Sequence, residues 1–243
     1  MVLAVPGAIG DVASEVATVI RVDNPMLDLR LVSLGDGGGD LTKEFSGLSA
    51  ERPPNAVCAI VVPLITGPHP RVMRTIKDAV TQSETNVMIT DPLGPHPLLA
   101  EALHIRLSEM GLARADRVRL FNVTSPVDGI IVVTAGGDGA ARAAEATGIL
   151  LAARLTLPVV PAAIDGVPSV NDAAERLRKI GASRLAVVPY VIGPEADHER
   201  IRVAADTIGA GCASPLGAHE AVSRLVSFRY GSALAGTHDD EGY

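Results

Sequence analysis

The sequence predicts an α/β protein built from two copies of one βα unit. Three observations carry that prediction. Short Val/Ile-rich runs alternate with helical patterns along the whole chain. The runs lack strict apolar–polar alternation, as expected for strands covered on both faces of a parallel sheet. Two phrases from the first half recur in the second at nearly the same spacing.

The elements follow in chain order. Strands are expected at 2–6, 28–33, 57–63, 86–90, 129–134, 158–163, 184–189 and 211–214. Helices are expected at 12–21, 71–82, 97–110, 140–154, 170–180, 195–206 and 218–230. In the third of these, Leu99, Leu103, Leu107 and Met110 fall on one face, and Pro97 suits a first helical turn. The stretch 35–54 opens with Gly-Asp-Gly-Gly-Gly-Asp and is expected to hold a short helix in a long loop.

The repeat pairs Val61-Val62-Pro63-Leu64-Ile65-Thr66-Gly67-Pro68 with Val187-Val188-Pro189-Tyr190-Val191-Ile192-Gly193-Pro194. It then pairs Pro92-Leu93-Gly94-Pro95-His96 with Pro215-Leu216-Gly217-Ala218-His219. Each half therefore holds a four-stranded, mainly parallel sheet flanked by helices. The expected domains are 1–115 and 128–232, with a seam near 116–128, a cleft between the lobes and a disordered tail over 233–243. In such sheets, ligands gather beyond the carboxyl ends of the strands, so the loops there are where chemistry is sought.

Composition narrows the function classes. The chain has 243 residues, long enough for a sizeable core, and 47% of them are apolar. It has no Trp, and the only rings besides histidine are Phe45, Phe121, Phe228, Tyr190, Tyr230 and Tyr243, so the core is aliphatic. A formal net charge of −7 disfavours nucleic acid. No apolar run reaches the roughly 18 residues of a membrane span, and the start lacks a basic signal-peptide region. The two cysteines, Cys58 and Cys212, read as buried free thiols rather than a disulfide, which places the chain in the cytoplasm.

Val62-Pro63-Leu64-Ile65-Thr66-Gly67-Pro68-His69-Pro70-Arg71, with Pro92 to Leu103, resembles the sirohydrochlorin cobalt- and iron-chelatases of the long, duplicated type, within the class II chelatases. Leu151-Ala152-Ala153-Arg154-Leu155 and Val187-Val188-Pro189-Tyr190 extend the resemblance through the second half, over roughly residues 2–230. It implies two chelatase-like lobes with a tetrapyrrole between them, and insertion of Co(II) or Fe(II) on the route to cobalamin or sirohaem. The divalent metal is then a substrate and no organic cofactor is used.

The reaction sets its own demands. Two pyrrole N–H protons leave as the metal enters, and a neutral imidazole can both ligate a borderline metal and accept a proton. The carboxylated rim of the macrocycle calls for Arg, Lys or helix N-terminal N–H groups. His69 is the catalytic and metal-binding candidate, since the family places a histidine in this loop with an arginine two residues on, here Arg71. Arg71 is a candidate rim contact, with Pro6 and Gly7 at the first strand's end. The family's first strand ends in a second catalytic histidine, and Pro6 stands in its place here. Ala8 and Ile9 stand where the family has serine and arginine.

Glu195 matches His69 in the repeat. Glu195 and His198, at i and i+3, are candidate metal groups beside His69. Asp11 and Asp138 are expected to cap helices. His96 and His219 recur after Pro-Leu-Gly, which points to a shared structural task such as backbone hydrogen bonding, and His104 is expected at a surface or boundary. Gly37-Gly38-Gly39 lacks the Gly-Lys-Ser/Thr ending of a phosphate loop. Three readings remain open at this point: an inserting chelatase, a lapsed homologue that carries metal or tetrapyrrole, and an α/β binding protein with another ligand. A duplicated chain supplies both walls of its cleft, so a monomer is expected.

Overall fold

The computed structural model describes residues 1–50, 57–114 and 125–239. They form two compact units. Unit 1 takes Met1–Ile65, Pro70–Leu93 and the chain from Ala218 on; unit 2 takes Thr66–His69 and Gly94–Gly217.

Unit 1 is built on strands β1 (Val2–Val5), β2 (Arg30–Ser33), β3 (Ala59–Pro63) and β4 (Val87–Ile89). They pair in the order β2-β1-β3-β4, all parallel. Its helices are α1 (Asp11–Asp23), α2 (Gly39–Ala50), α3 (Pro70–Ser83) and α8 (Glu220–Asp239). Helix α1 buries Ala13, Val16, Ala17 and Ile20, the i, i+3, i+4, i+7 stripe of an amphipathic helix. Leu41, Phe45 and Leu48 of α2 join Val61, Ile65, Val72 and Ile76 in one core cluster.

Unit 2 is built on β5 (Gly129–Thr134), β6 (Val159–Ala163), β7 (Leu185–Pro189) and β8 (Gly211–Cys212). The order is β6-β5-β7-β8, again all parallel. Its helices are α4 (Pro97–Glu109), α5 (Gly137–Leu155), α6 (Val170–Lys179) and α7 (His198–Thr207). Helix α6 starts with a capping box, in which Ser169 and Asp172 each satisfy the other's backbone N–H. Its buried positions Val170, Ala173, Ala174 and Leu177 pack on Ile131, Val133 and Val187.

The two sheets share one strand order and one set of loop hydrogen bonds. The Leu64 N–H donates to Ala4 O at 2.9 Å, and the Tyr190 N–H to Val133 O at 2.6 Å. The Leu93 N–H donates to Ile65 O at 3.0 Å, and the Leu216 N–H to Val191 O at 2.9 Å.

Every expected strand is present, and seven helices stand where the pattern put them. Four details differ. Helix α2 runs for 12 residues, longer than the short helix expected in 35–54. Met110 is the C-terminal cap of α4 and is 54% exposed, while Leu99, Leu103 and Leu107 are fully buried. Helix α8 continues through Asp239, across most of the expected disordered tail; residues 240–243 and the greater part of the expected seam lie outside the described residues. The compact units also do not follow the halves 1–115 and 128–232. Helix α4 packs on α5 and β7 in unit 2, and α8 packs on α1 and β3 in unit 1.

Candidate functional site

The loop after β3 carries His69 at the carboxyl end of a strand, where a parallel sheet presents ligands. Thr66–His69 belong to unit 2, although β3 and α3 on either side belong to unit 1. The Thr66 hydroxyl donates to the Tyr190 carbonyl at 2.7 Å. The Thr66 carbonyl accepts the Gly94 N–H at 3.0 Å. The Tyr190 phenol lies 3.5 Å from the same carbonyl and accepts from the Thr147 hydroxyl at 3.1 Å. Thr66, Thr147 and Tyr190 are all buried. Burial pushes the Tyr190 phenol up to about 12, so it stays a neutral hydrogen-bonding group.

The far end of the loop rests on Gly136. A Cβ there would lie 2.4 Å from the Pro68 carbonyl oxygen and 3.1 Å from the His69 Cα, and Gly136 has φ +112°. This glycine is the N-cap of α5. The free N–H groups at that helix end are met by Asp165, whose carboxylate accepts from Gly136 at 3.1 Å and from Gly137 at 2.9 Å. Asp138 accepts from the Val167 N–H at 2.8 Å. Asp138 therefore fixes a neighbouring turn rather than capping α5. Asp11 is the first residue of α1, and Gly10 is its cap.

The other predicted residues divide by unit. Pro6, Gly7 and Arg71 belong to unit 1; Glu195 and His198 share unit 2 with His69. Pro6 is buried directly after β1, and Gly7 turns the chain at φ +74°. The Gly7 carbonyl accepts from the Ser33 hydroxyl at 2.7 Å. Arg71 is exposed in the first turn of α3, and His69 is half-buried.

Glu195 and His198 do not form the expected metal group with His69. Both Glu195 carboxylate oxygens turn onto its own loop and accept from Ile192 at 2.6 Å and Gly193 at 2.9 Å. Burial pushes this carboxyl up to about 7, against the pull of those two N–H groups. The His198 Nε2 is sealed from solvent without a hydrogen-bond partner. Among the described residues, no three His, Cys, Asp or Glu side chains gather into a metal-holding group.

The remaining histidines separate clearly. The His96 Nδ1 accepts from the Leu98 N–H at 3.2 Å, and the His219 Nδ1 from the Ala221 N–H at 3.1 Å. Each stands immediately before its helix, so the two do share one backbone-binding task. His104 is buried rather than at a boundary, with Nε2 donating to the Arg114 carbonyl at 2.6 Å. Cys212 is half-buried rather than buried, and desolvation pushes its thiol up to about 11. A groove of about 430 Å³ on unit 1 is lined by Asp11, Ser14, Glu15, Thr18, Val19 and Ala218, none of them a predicted site residue.

Sequence reasoning missed Tyr190, Thr147, Gly136 and Asp165. One signal was available: at Tyr190 the repeat carries a ring and a hydroxyl where the first half has Leu64.

No family model and no curated protein matches the chain. Solved structures do. SirB from Bacillus subtilis with Fe3+ superposes at TM-score 0.69 and 14% identity, over 98% of this chain and 96% of that one. The sirohydrochlorin chelatase SirB from Bacillus subtilis subspecies spizizenii in complex with cobalt superposes at 0.61 and 13%, over 94% and 91%. CbiX, the terminal enzyme for biosynthesis of siroheme in denitrifying bacteria, superposes at 0.57 and 20%, over 96% and 97%.

The fold is the chelatase fold. Within it, the phrase that carries the resemblance, Val62 to Arg71, is the strand end and loop that present His69. No described helix is long and apolar enough to cross a membrane.

Proposed function

We propose that this chain inserts a divalent metal, Co(II) or Fe(II), into a sirohydrochlorin-like tetrapyrrole, with His69 as the metal-binding and proton-accepting residue. The observation that carries the reading is a half-buried histidine on a clamped loop, at a strand's carboxyl end, in a chain with the chelatase fold.

Insertion exchanges one M2+ for two protons, so nitrogen–metal bonds form as two N–H bonds break. A neutral imidazole can deliver the metal and then take a proton, passing it to water before the second leaves. Arg71, exposed at the start of α3, is proposed to pair with a rim carboxylate. Gly7, at the turn after β1, is proposed to line the macrocycle beside Pro6. Glu195 is proposed to shape its loop instead of ligating. Cobalamin or sirohaem synthesis in the cytoplasm is the proposed setting. The chain is proposed to work as a monomer, since it carries two sheets of the same order.

Pro6 supports a second reading. Proline can neither ligate nor accept a proton, so a lapsed homologue that carries metal or tetrapyrrole would look the same at this strand end. Anaerobic mixing with sirohydrochlorin and Co(II), followed by macrocycle absorbance, separates the two. The metallated spectrum forming faster than without protein supports insertion. A shifted spectrum that never becomes metallated supports the carrier, and an unchanged spectrum rules out both.

A further inference from the structure

We propose that Tyr190 is a positioning residue for His69, holding the β3–α3 loop through Thr66 so that the imidazole stands at one fixed place. The inference deepens the reading of His69 as the metal-binding residue and rests on it. Thr66 lies three residues before His69 and is held at both its polar ends. Its hydroxyl donates to the Tyr190 carbonyl, and its own carbonyl faces the Tyr190 phenol and the Gly94 N–H.

The phenol occupies the space that a side chain on Gly94 would need. A Cβ on Gly94 would lie 2.1 Å from the Tyr190 hydroxyl and 2.7 Å from the Thr66 carbonyl oxygen. On the phenol's other polar side, the fully buried Thr147 of α5 donates to it. Helix α5 begins at the turn on which Pro68 and His69 rest. The loop is thus pinned at Thr66 through Tyr190 to the middle of α5, and at His69 directly to the start of α5.

A leucine, the first half's residue at this point of the repeat, has no hydroxyl for either contact. Two close contacts on one short loop suit a group that must meet a metal and a pyrrole nitrogen in a fixed geometry, because misplacement of about 1 Å can cost on the order of a hundredfold in rate.

The test uses Thr66→Val and Tyr190→Phe, with Thr66→Ser as the conservative variant that keeps the hydroxyl. Imidazole resonances of the unliganded protein are recorded by NMR, with His69 assigned by its loss in His69→Ala. Thermal melts check that each variant is folded. We expect His69 resonances to shift in Thr66→Val and Tyr190→Phe while those of His96 and His219 stay in place. The insertion kcat should fall on the order of tenfold at unchanged KM, and Thr66→Ser should match the parent protein. Folded Thr66→Val and Tyr190→Phe proteins with unmoved His69 resonances and the parent's kcat would overturn the proposal. The NMR result stands whether or not insertion is observed. A full rate in His69→Ala refutes the role of His69 and leaves the positioning result readable by itself.

Discussion

At Gly136 the backbone is left-handed and the space a side chain would need is taken by the Pro68 carbonyl. Gly136→Ala therefore meets both φ strain and a collision. It should cost about 2 kcal/mol or more, read as a lower denaturant midpoint. Glu195 makes a prediction with a definite sign. Its folded value of about 7 lies above the ordinary 4.5, so the folded state keeps the proton to higher pH than the unfolded chain. The associated stability is present in full below the unfolded value and is lost as pH rises through about 7. Between pH 5 and pH 8 the parent protein should lose on the order of 2 kcal/mol relative to Glu195→Gln, measured by urea unfolding at each pH. The sequence offered no hint of this burial. Glu195 reads there as a charged helix start, and its use of two loop N–H groups depends on a turn that only the folded chain defines.

At the scale of elements, the repeated histidines give the clearest comparison. His96 and His219 each accept one N–H at a helix start. Alanine at either site should remove a cap and cost about 1 kcal/mol, with the two losses similar, measured as shifts in thermal unfolding. Leu103→Ala in the fully buried face of α4 should cost more, about 2–5 kcal/mol. The strands were legible because a strand covered on both faces writes itself as an unbroken Val/Ile run. Helix α2 was legible only in part. Its glycine-rich entry reads as a loop, yet Leu41, Phe45 and Leu48 already held helical spacing. Asp11 and Asp138 were misplaced as caps because only one or two residues of register separate a cap from a first-turn carboxylate, and sequence alone does not fix that register.

For the whole molecule, the matched phrases anticipated two four-stranded parallel sheets, and the structure adds that both have the same strand order. The phrases did not anticipate which unit each last helix joins. Alternation says only that a helix follows a strand, and the packing of α4 on α5 and of α8 on α1 is set by tertiary contacts. The place of the proposed metal-binding residue was legible, since His69 stands in the loop between β3 and α3. What holds that residue was not legible, since Tyr190 and Thr147 lie far from it in sequence. The proposed monomer should show a single species of about the chain's 25.1 kDa mass in equilibrium sedimentation, and a species of twice that mass would contradict it. The central claim, that His69 carries metal insertion on this fold, is tested most directly by the anaerobic initial rate of Co(II) insertion into sirohydrochlorin for the parent protein and for His69→Ala. The account predicts a rate well above the protein-free reaction for the first and a fall to that background for the second. Equal rates in the two proteins would contradict it.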